Sequence, residues 1–187
     1  MFRSAQEAIE RGDWETFFPC LAPTDLKRLA GIGVGCAVTD DPAFRELCLE
    51  HGVSNEALDL LQSTARQMME SANAMAHDAA SSTEAMMERS LAHRDLVKAH
   101  DAAVDACARH VEDHAAFVAA VERLRRATSG GGSVSSSLFV GETLSDVTIA
   151  GNKAVGVRRH RSGEDEPVAF VRTRAGWHVS IFARRRV

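Results

Sequence analysis

The chain has 187 residues, of which 45% are hydrophobic, 26% charged and 5% aromatic, with no tyrosine and a formal net charge of −4. That length and apolar content exclude a disordered chain and suffice for one real core, with or without a helical appendage. The scarcity of aromatic side chains removes the stacking platforms on which single-stranded nucleic acid is held, so nucleic acid is not an expected partner.

In chain order, Ser4 and Glu7 have capping-box spacing and open a helix carrying Ala5, Ala8 and Ile9, which Gly12 and Asp13 interrupt. Pro19 and Pro23 limit the segment around Trp14, Phe17 and Phe18, and Thr24 or Asp25 caps a short helix through Leu26 and Leu29. The run Gly31–Gly35 lacks the preceding strand, the spacing and the lysine of a phosphate loop, and reads as flexible or closely packed backbone. Asp41 followed by Pro42 is an N-cap with proline at the first helical position, and Gly52 ends that helix.

From Ser54 to about Ala80, Leu58, Leu61, Ala65, Met68, Ala72, Met75 and Ala79 recur by threes and fours, the stripe of a long amphipathic helix. Ser81 and Glu84 form a second capping box. A further helix is expected from about Glu84 to Thr128, roughly 65 Å long if unbroken at 1.5 Å per residue. The two would make an unequal helical hairpin whose Ala- and Met-rich stripes suit an adaptable protein contact, with Met68, Met75 and Met87 as candidate partner-binding residues. Ser129–Ser133 reads as a flexible joint.

The final stretch alternates with period two between turn residues. Val147 and Ile149 share a side, and Gly151 and Asn152 reverse the chain. Val155 and Val157 oppose Ala154 and Gly156. Ser162–Asp165 is the second turn. Val168, Phe170 and Arg172 alternate with Ala169, Val171 and Thr173, and Arg174–Gly176 is the third turn. Trp177, Val179 and Ile181 then form an apolar row opposite His178, Ser180 and Phe182. Such a face must be covered, and the start of the chain is the expected cover.

The cadence "DVTIAGNKAVGVRR…GEDEPVAFVRTRAGWHVSIF" resembles the C-terminal meander of the NTF2-like (cystatin-like α+β cone) superfamily, and "AQEAIERGDWETFFPCLAPTDLKRLA" is similar to the first helix of its small bacterial members. The middle departs from the family by a long helical insertion. The resemblance implies a bent sheet wrapped on a helix, and dimerisation through that sheet.

The expected fold is therefore α+β: N-terminal helices and a long helical hairpin plus a C-terminal four-stranded antiparallel curved sheet. Residues 1–53 are expected to pack on the sheet of 129–187 as one NTF2-like domain, with 54–128 as the hairpin. Residues 1–128 carry 13 basic and 21 acidic side chains, whereas 129–187 carry 9 and 5, a polarity that suits association with a partner. There is no charged leader with an apolar core, and no apolar run of about eighteen residues. A cytoplasmic protein without a membrane contact is the expectation.

Chemistry-bearing residues are few. Cys20, Cys36, Cys48 and Cys107 lack metal-site spacing and are expected to be buried reduced thiols. His110 and His114, four apart on one expected helix, are the candidate metal pair, but no third ligand accompanies them, and no cofactor is expected. His93 and His100 read as surface residues. His178 is the candidate catalytic base, and Phe170, His178 and Ser180 the candidate ligand-binding set for a small apolar or anionic molecule. The arginines of the turns and of 184–186 read as solubilising. These features favour a non-enzymatic binding protein, using its helical arm for a protein partner or a homodimer. The alternative is a small NTF2-like enzyme or ligand-binding protein with His178 in an apolar pocket.

Overall fold

The computed structural model describes residues 1–38, 41–77, 82–129 and 139–182. Its α-helices are α1 (Phe2–Glu10), α2 (Trp14–Phe17), α3 (Pro23–Gly35), α4 (Pro42–Glu50), α5 (Asn55–His77), α6 (Thr83–His110) and α7 (His114–Ser129). The strands β1 (Thr143–Ala150), β2 (Lys153–Arg159), β3 (Asp165–Thr173) and β4 (Gly176–Ser180) form one antiparallel sheet in the order β1-β2-β3-β4. The fold is α+β with a C-terminal four-stranded antiparallel sheet. Among the described residues no helix is long and apolar enough to cross a membrane.

The chain divides into two compact units, Met1–Leu29 with His114–Val187, and Ala30–Asp113. The divisions fall inside α3 and just before α7, where the sequence pattern had placed them at residues 53 and 128. In the first unit, cross-strand pairing fixes which side chains share a face. Ala154 lies opposite Phe170, Gly156 opposite Val168, and Phe170 opposite Val179, and all of these are buried. A Cβ on Gly156 would stand 2.9 Å from Leu144 Cδ1 and 3.1 Å from Val147 Cγ2, so a side chain there would displace both side chains of β1. β1 bulges between Ser145 and Thr148, and Asp146 takes a left-handed φ of 52° at that point.

The beginning of the chain covers this face. Leu21 makes a parallel bridge to Val179, with the Ala22 N–H donating to Val179 O at 2.8 Å, so the outer edge of β4 is occupied. Phe2 and Phe17 pack on Phe139 with ring centroids 5.1 and 6.4 Å away. Gln6 Nε2 donates to Phe139 O and Glu142 O at 2.8 and 3.0 Å. Trp14, Phe17 and Phe18 form an aromatic cluster, and the Arg126 guanidinium of α7 lies 4.3 Å over the Trp14 ring while its Nε donates to buried Glu122.

In the second unit α5 and α6 pair as a hairpin, with Leu58, Leu61, Ala65, Ala103 and Cys107 buried at its base. The glycine run belongs to α3, and a Cβ on Gly31 would be in ordinary contact with Val104 Cγ1 at 3.5 Å, whereas one on Gly35 would meet nothing within 4 Å.

Several expected boundaries move. α1 begins at Phe2 with Met1 as its N-cap, so Ser4 lies inside the helix and makes no capping box; Glu7 pairs with Arg3 instead. α6 is capped by Ser82, whose hydroxyl accepts from Ala85 N–H, and Ser81 lies outside the described residues, as does 130–133 of the expected joint. Asp41 caps α4 as expected, accepting from Ala43 N–H at 3.0 Å. The expected helix 84–128 is two helices. Val111 adopts an extended conformation (φ −68°, ψ 115°) and is buried, and Asp113, a preferred N-cap residue type, immediately precedes α7.

Asp25, in the first turn of α3, fastens the end of β4. Its Oδ2 accepts from Ile181 N–H at 2.6 Å and Phe182 N–H at 3.4 Å, and the carboxylate is buried. Arg28, one turn on, stands 4.3 Å over the Phe182 ring. Asp25→Ala leaves those N–H groups without their charged acceptor and is expected to lower stability by about 2–3 kcal/mol in urea unfolding, with Asp25→Asn losing less because it keeps one oxygen.

Candidate functional site

The residues singled out by sequence do not converge on one place. Because Val171 pairs with His178 and Phe170 with Val179, Phe170 points to the covered face while His178 and Ser180 share the other, so the expected ligand-binding trio is split across the sheet. His178 is half-buried, and both its ring nitrogens are engaged: Nε2 with Thr173 Oγ1 at 2.9 Å and Nδ1 with Pro19 O at 3.2 Å. A carbonyl only accepts, so Nδ1 carries a proton, while the Thr173 hydroxyl that meets Nε2 also reaches Gly176 O at 3.5 Å. Hydroxyl, imidazole and orienting acceptor is the order found in nucleophilic catalysis. Here the hydroxyl also accepts the Ala175 N–H at 3.1 Å within the β3–β4 turn. The ring ties that turn to the Phe18–Cys20 segment.

The candidate metal pair comes apart. His110 ends α6 and His114 begins α7, with extended Val111 between them, so the one-face spacing of a continuous helix is lost. Among the described residues no three His, Cys, Asp or Glu side chains are placed to hold a metal ion. Cys20, Cys48 and Cys107 are buried, whereas Cys36 is half-exposed, against expectation for the fourth thiol. Burial pushes Cys48 up to about 12, with neighbouring Cys107 and Cys36 adding to the shift, and burial likewise raises Cys107 and Cys20. These three remain neutral thiols at pH 7 and are poor nucleophiles.

A charge cluster that the sequence did not signal lies at the open end of the sheet. Glu142, buried just before β1, receives Arg158 Nη1 at 3.3 Å and His160 Nδ1 at 2.8 Å. Arg158 Nη2 and His160 Nε2 in turn reach Glu166 Oε2 at 2.6 and 3.3 Å. The opposition of Arg158 and Glu166 is set by β2–β3 register, so only pairing brings the four groups together.

The helical hairpin carries the broadest surface of chemical interest. His100 Nδ1 and Thr64 Oγ1 meet at 3.4 Å, and His93 Nδ1 and Ser71 Oγ at 3.3 Å, so these histidines are rungs between α5 and α6 rather than free surface. Beyond the base the packing thins. None of the described residues 66–76 and 82–102 is buried, although they include five methionines, among them Met68 and Met75 half-buried and Met86 and Met87 59% and 63% exposed. Met69 is 61% exposed and Leu91 47%. The periodicity identified Met68, Met75 and Met87 but passed over Met69 and Met86, which lie off the stripe.

No protein-family model, curated protein or solved structure matches this chain. An exposed mixed surface of methionine, leucine and alanine, flanked by Arg66, Glu70, Arg89, Arg94, Asp95 and Lys98, can recognise another apolar helix face but offers no positioned reactive group.

The Arg158 hydrogen bond, and after it that of His160, holds the Glu166 carboxyl below its ordinary value. A depressed carboxylate stabilises the fold above the ordinary carboxylate range, and that contribution disappears as pH falls through the depressed value. Glu166 is half-exposed, so Glu166→Gln is expected to lower stability at pH 7 by only about 0.5 kcal/mol and to flatten the acid limb of stability against pH, read from urea unfolding at a series of pH values. Arg158→Leu strands buried Glu142 beside His160 alone, and a loss of about 3 kcal/mol is expected in the same assay.

Proposed function

We propose that this chain is a non-enzymatic interaction protein whose α5–α6 hairpin docks against an apolar helix face of another protein chain, either a second copy or a different protein. One observation carries the reading. Two paired helices run through residues 66–76 and 82–102 without a single buried side chain, while presenting Met69, Met86, Met87 and Leu91 to solvent. An amphipathic helix gains most of its stability from covering its apolar stripe, and a two-helix pair supplies too little cover by itself. Methionine suits such a contact because its unbranched, polarisable side chain adapts to the partner it meets.

Within the same reading, the unit formed by Met1–Leu29 and His114–Val187 serves as an NTF2-like scaffold for the arm, in a cytoplasmic setting. The order of N-terminal helix followed by C-terminal meander supports that kinship, and the engagement of both His178 nitrogens supports a binding rather than a catalytic role.

The triple variant Met86→Lys, Met87→Lys, Leu91→Lys separates docking from internal packing. Its melting midpoint is expected to stay within about 2 °C of the parent, since surface substitutions shift stability by only about 0.5 kcal/mol. Chemical cross-linking of the full chain, purified and in cell extract, is expected to trap a partner in the parent and lose it in the variant. A drop of many degrees would make these side chains core, and an unchanged cross-linking pattern would remove the arm from the contact; either result ends the proposal.

A further inference from the structure

His160 stands where β2 ends, beside the segment that leads into β1. Its backbone is fixed by the β2–β3 turn, the N–H donating to Glu164 O at 2.8 Å and the carbonyl accepting from Gly163 N–H at 2.9 Å. From that position the ring reaches a carboxylate on each side, Nδ1 to Glu142 Oε1 at 2.8 Å and Nε2 to Glu166 Oε2 at 3.3 Å. An ionised carboxylate only accepts, so both contacts are hydrogen bonds only when both ring nitrogens carry protons. A neutral ring turns one lone pair toward an oxygen anion. The Glu142 side chain is 4% exposed and has little water to turn to when that donor is lost.

The segment held in this way reaches into the core. Phe139 is buried against Phe2 and Phe17, with the Arg158 guanidinium 5.6 Å from its ring centroid. Glu142 N–H donates back to Phe139 O at 3.2 Å, and Gln6 of α1 donates to both Phe139 O and Glu142 O. Gly141 allows this tight turn with a left-handed φ of 67°, and the Arg161 guanidinium lies where a Cβ on it would be. We propose that residues 139–142 form a proton-operated latch: the His160 imidazolium ties Glu142 to Glu166 and keeps Phe139 seated between α1 and the sheet, and loss of the ring proton frees the segment. The charged groups around the ring are Glu142 before β1, Glu166 of β3, Arg158 of β2 and Arg161 of the turn. Imidazole is the side chain type among these that changes charge near neutral pH. Protonation favours the closed latch, so closure is present at lower pH and lost as pH rises through the titration of the ring. Arg158 holds both carboxylates throughout, at 3.3 and 2.6 Å, so the release is local and the strands stay paired.

The latch is independent of the helical arm. Amide hydrogen exchange of the full chain at about pH 5.5 and about pH 8.5, corrected for the intrinsic rates, is the test. Protection of the Glu142 N–H is expected to fall about tenfold between the two, in step with the His160 imidazole ¹⁵N shifts, while Phe170 in β3 keeps its protection. His160→Gln, which can donate at one end at every pH, is expected to abolish that dependence. A parent whose Glu142 protection is the same at both pH values overturns the inference, as does a dependence that survives His160→Gln. The parent alone also suffices: ¹⁵N shifts of a neutral His160 ring at the lower pH end the proposal.

Discussion

The first unit depends on the junction between Leu21 and Val179. Neither residue retains any accessible surface, and the Leu21 bridge places the start of the chain along the last strand. Complete burial of such side chains is worth about 1.5–3 kcal/mol each, but the junction does more than add area. It satisfies the backbone at one edge of β4 and fixes where the Phe2, Phe17 and Phe139 rings can meet. It also brings the Asp25 carboxylate to the N–H groups that follow β4. Polar and apolar contacts thus share one geometry, and loss of one loosens the others.

Two surfaces of the chain have residues that are incompletely covered. The distal part of the α5–α6 hairpin has half-buried Met68 and Met75 and exposed Met69, Met86 and Met87. The β1 edge offers Val147 and Ile149 together with unpaired backbone. The groups with chemical potential are, by contrast, occupied. His178 is held at both nitrogens, Glu142 is paired with Arg158 and His160, and the buried thiols are kept protonated. That distribution is what supports the proposal of a binding role.

Local signals determined the elements. The alternation from Leu144 to Ile181, punctuated by Gly151, Gly163 and Gly176, dictated four strands, since period-two burial and positive-φ turns leave little else open to that segment. Asp41-Pro42 dictated the start of α4, and the threefold and fourfold recurrence through Leu58, Leu61 and Ala65 dictated α5. Where sequence reasoning failed, longer-range packing had overridden local preference. Val111 continues the helical spacing of Val104 and Cys107, yet its burial in an extended conformation divides α6 from α7 and separates His110 from His114.

The sequence by itself therefore decided the α+β class, the order of helices and strands, and which residues alternate along each strand, because these follow from neighbours within a few positions. Only the tertiary structure decided that Phe170 and His178 face opposite ways in the finished sheet, that Glu142 meets Arg158, His160 and Glu166, and that Leu21 rather than another segment closes β4. It also decided which of the methionines stay in solvent. Periodicity states which side chains share a face, but cover is supplied by residues far away in the chain, and no local pattern records how much of it arrives.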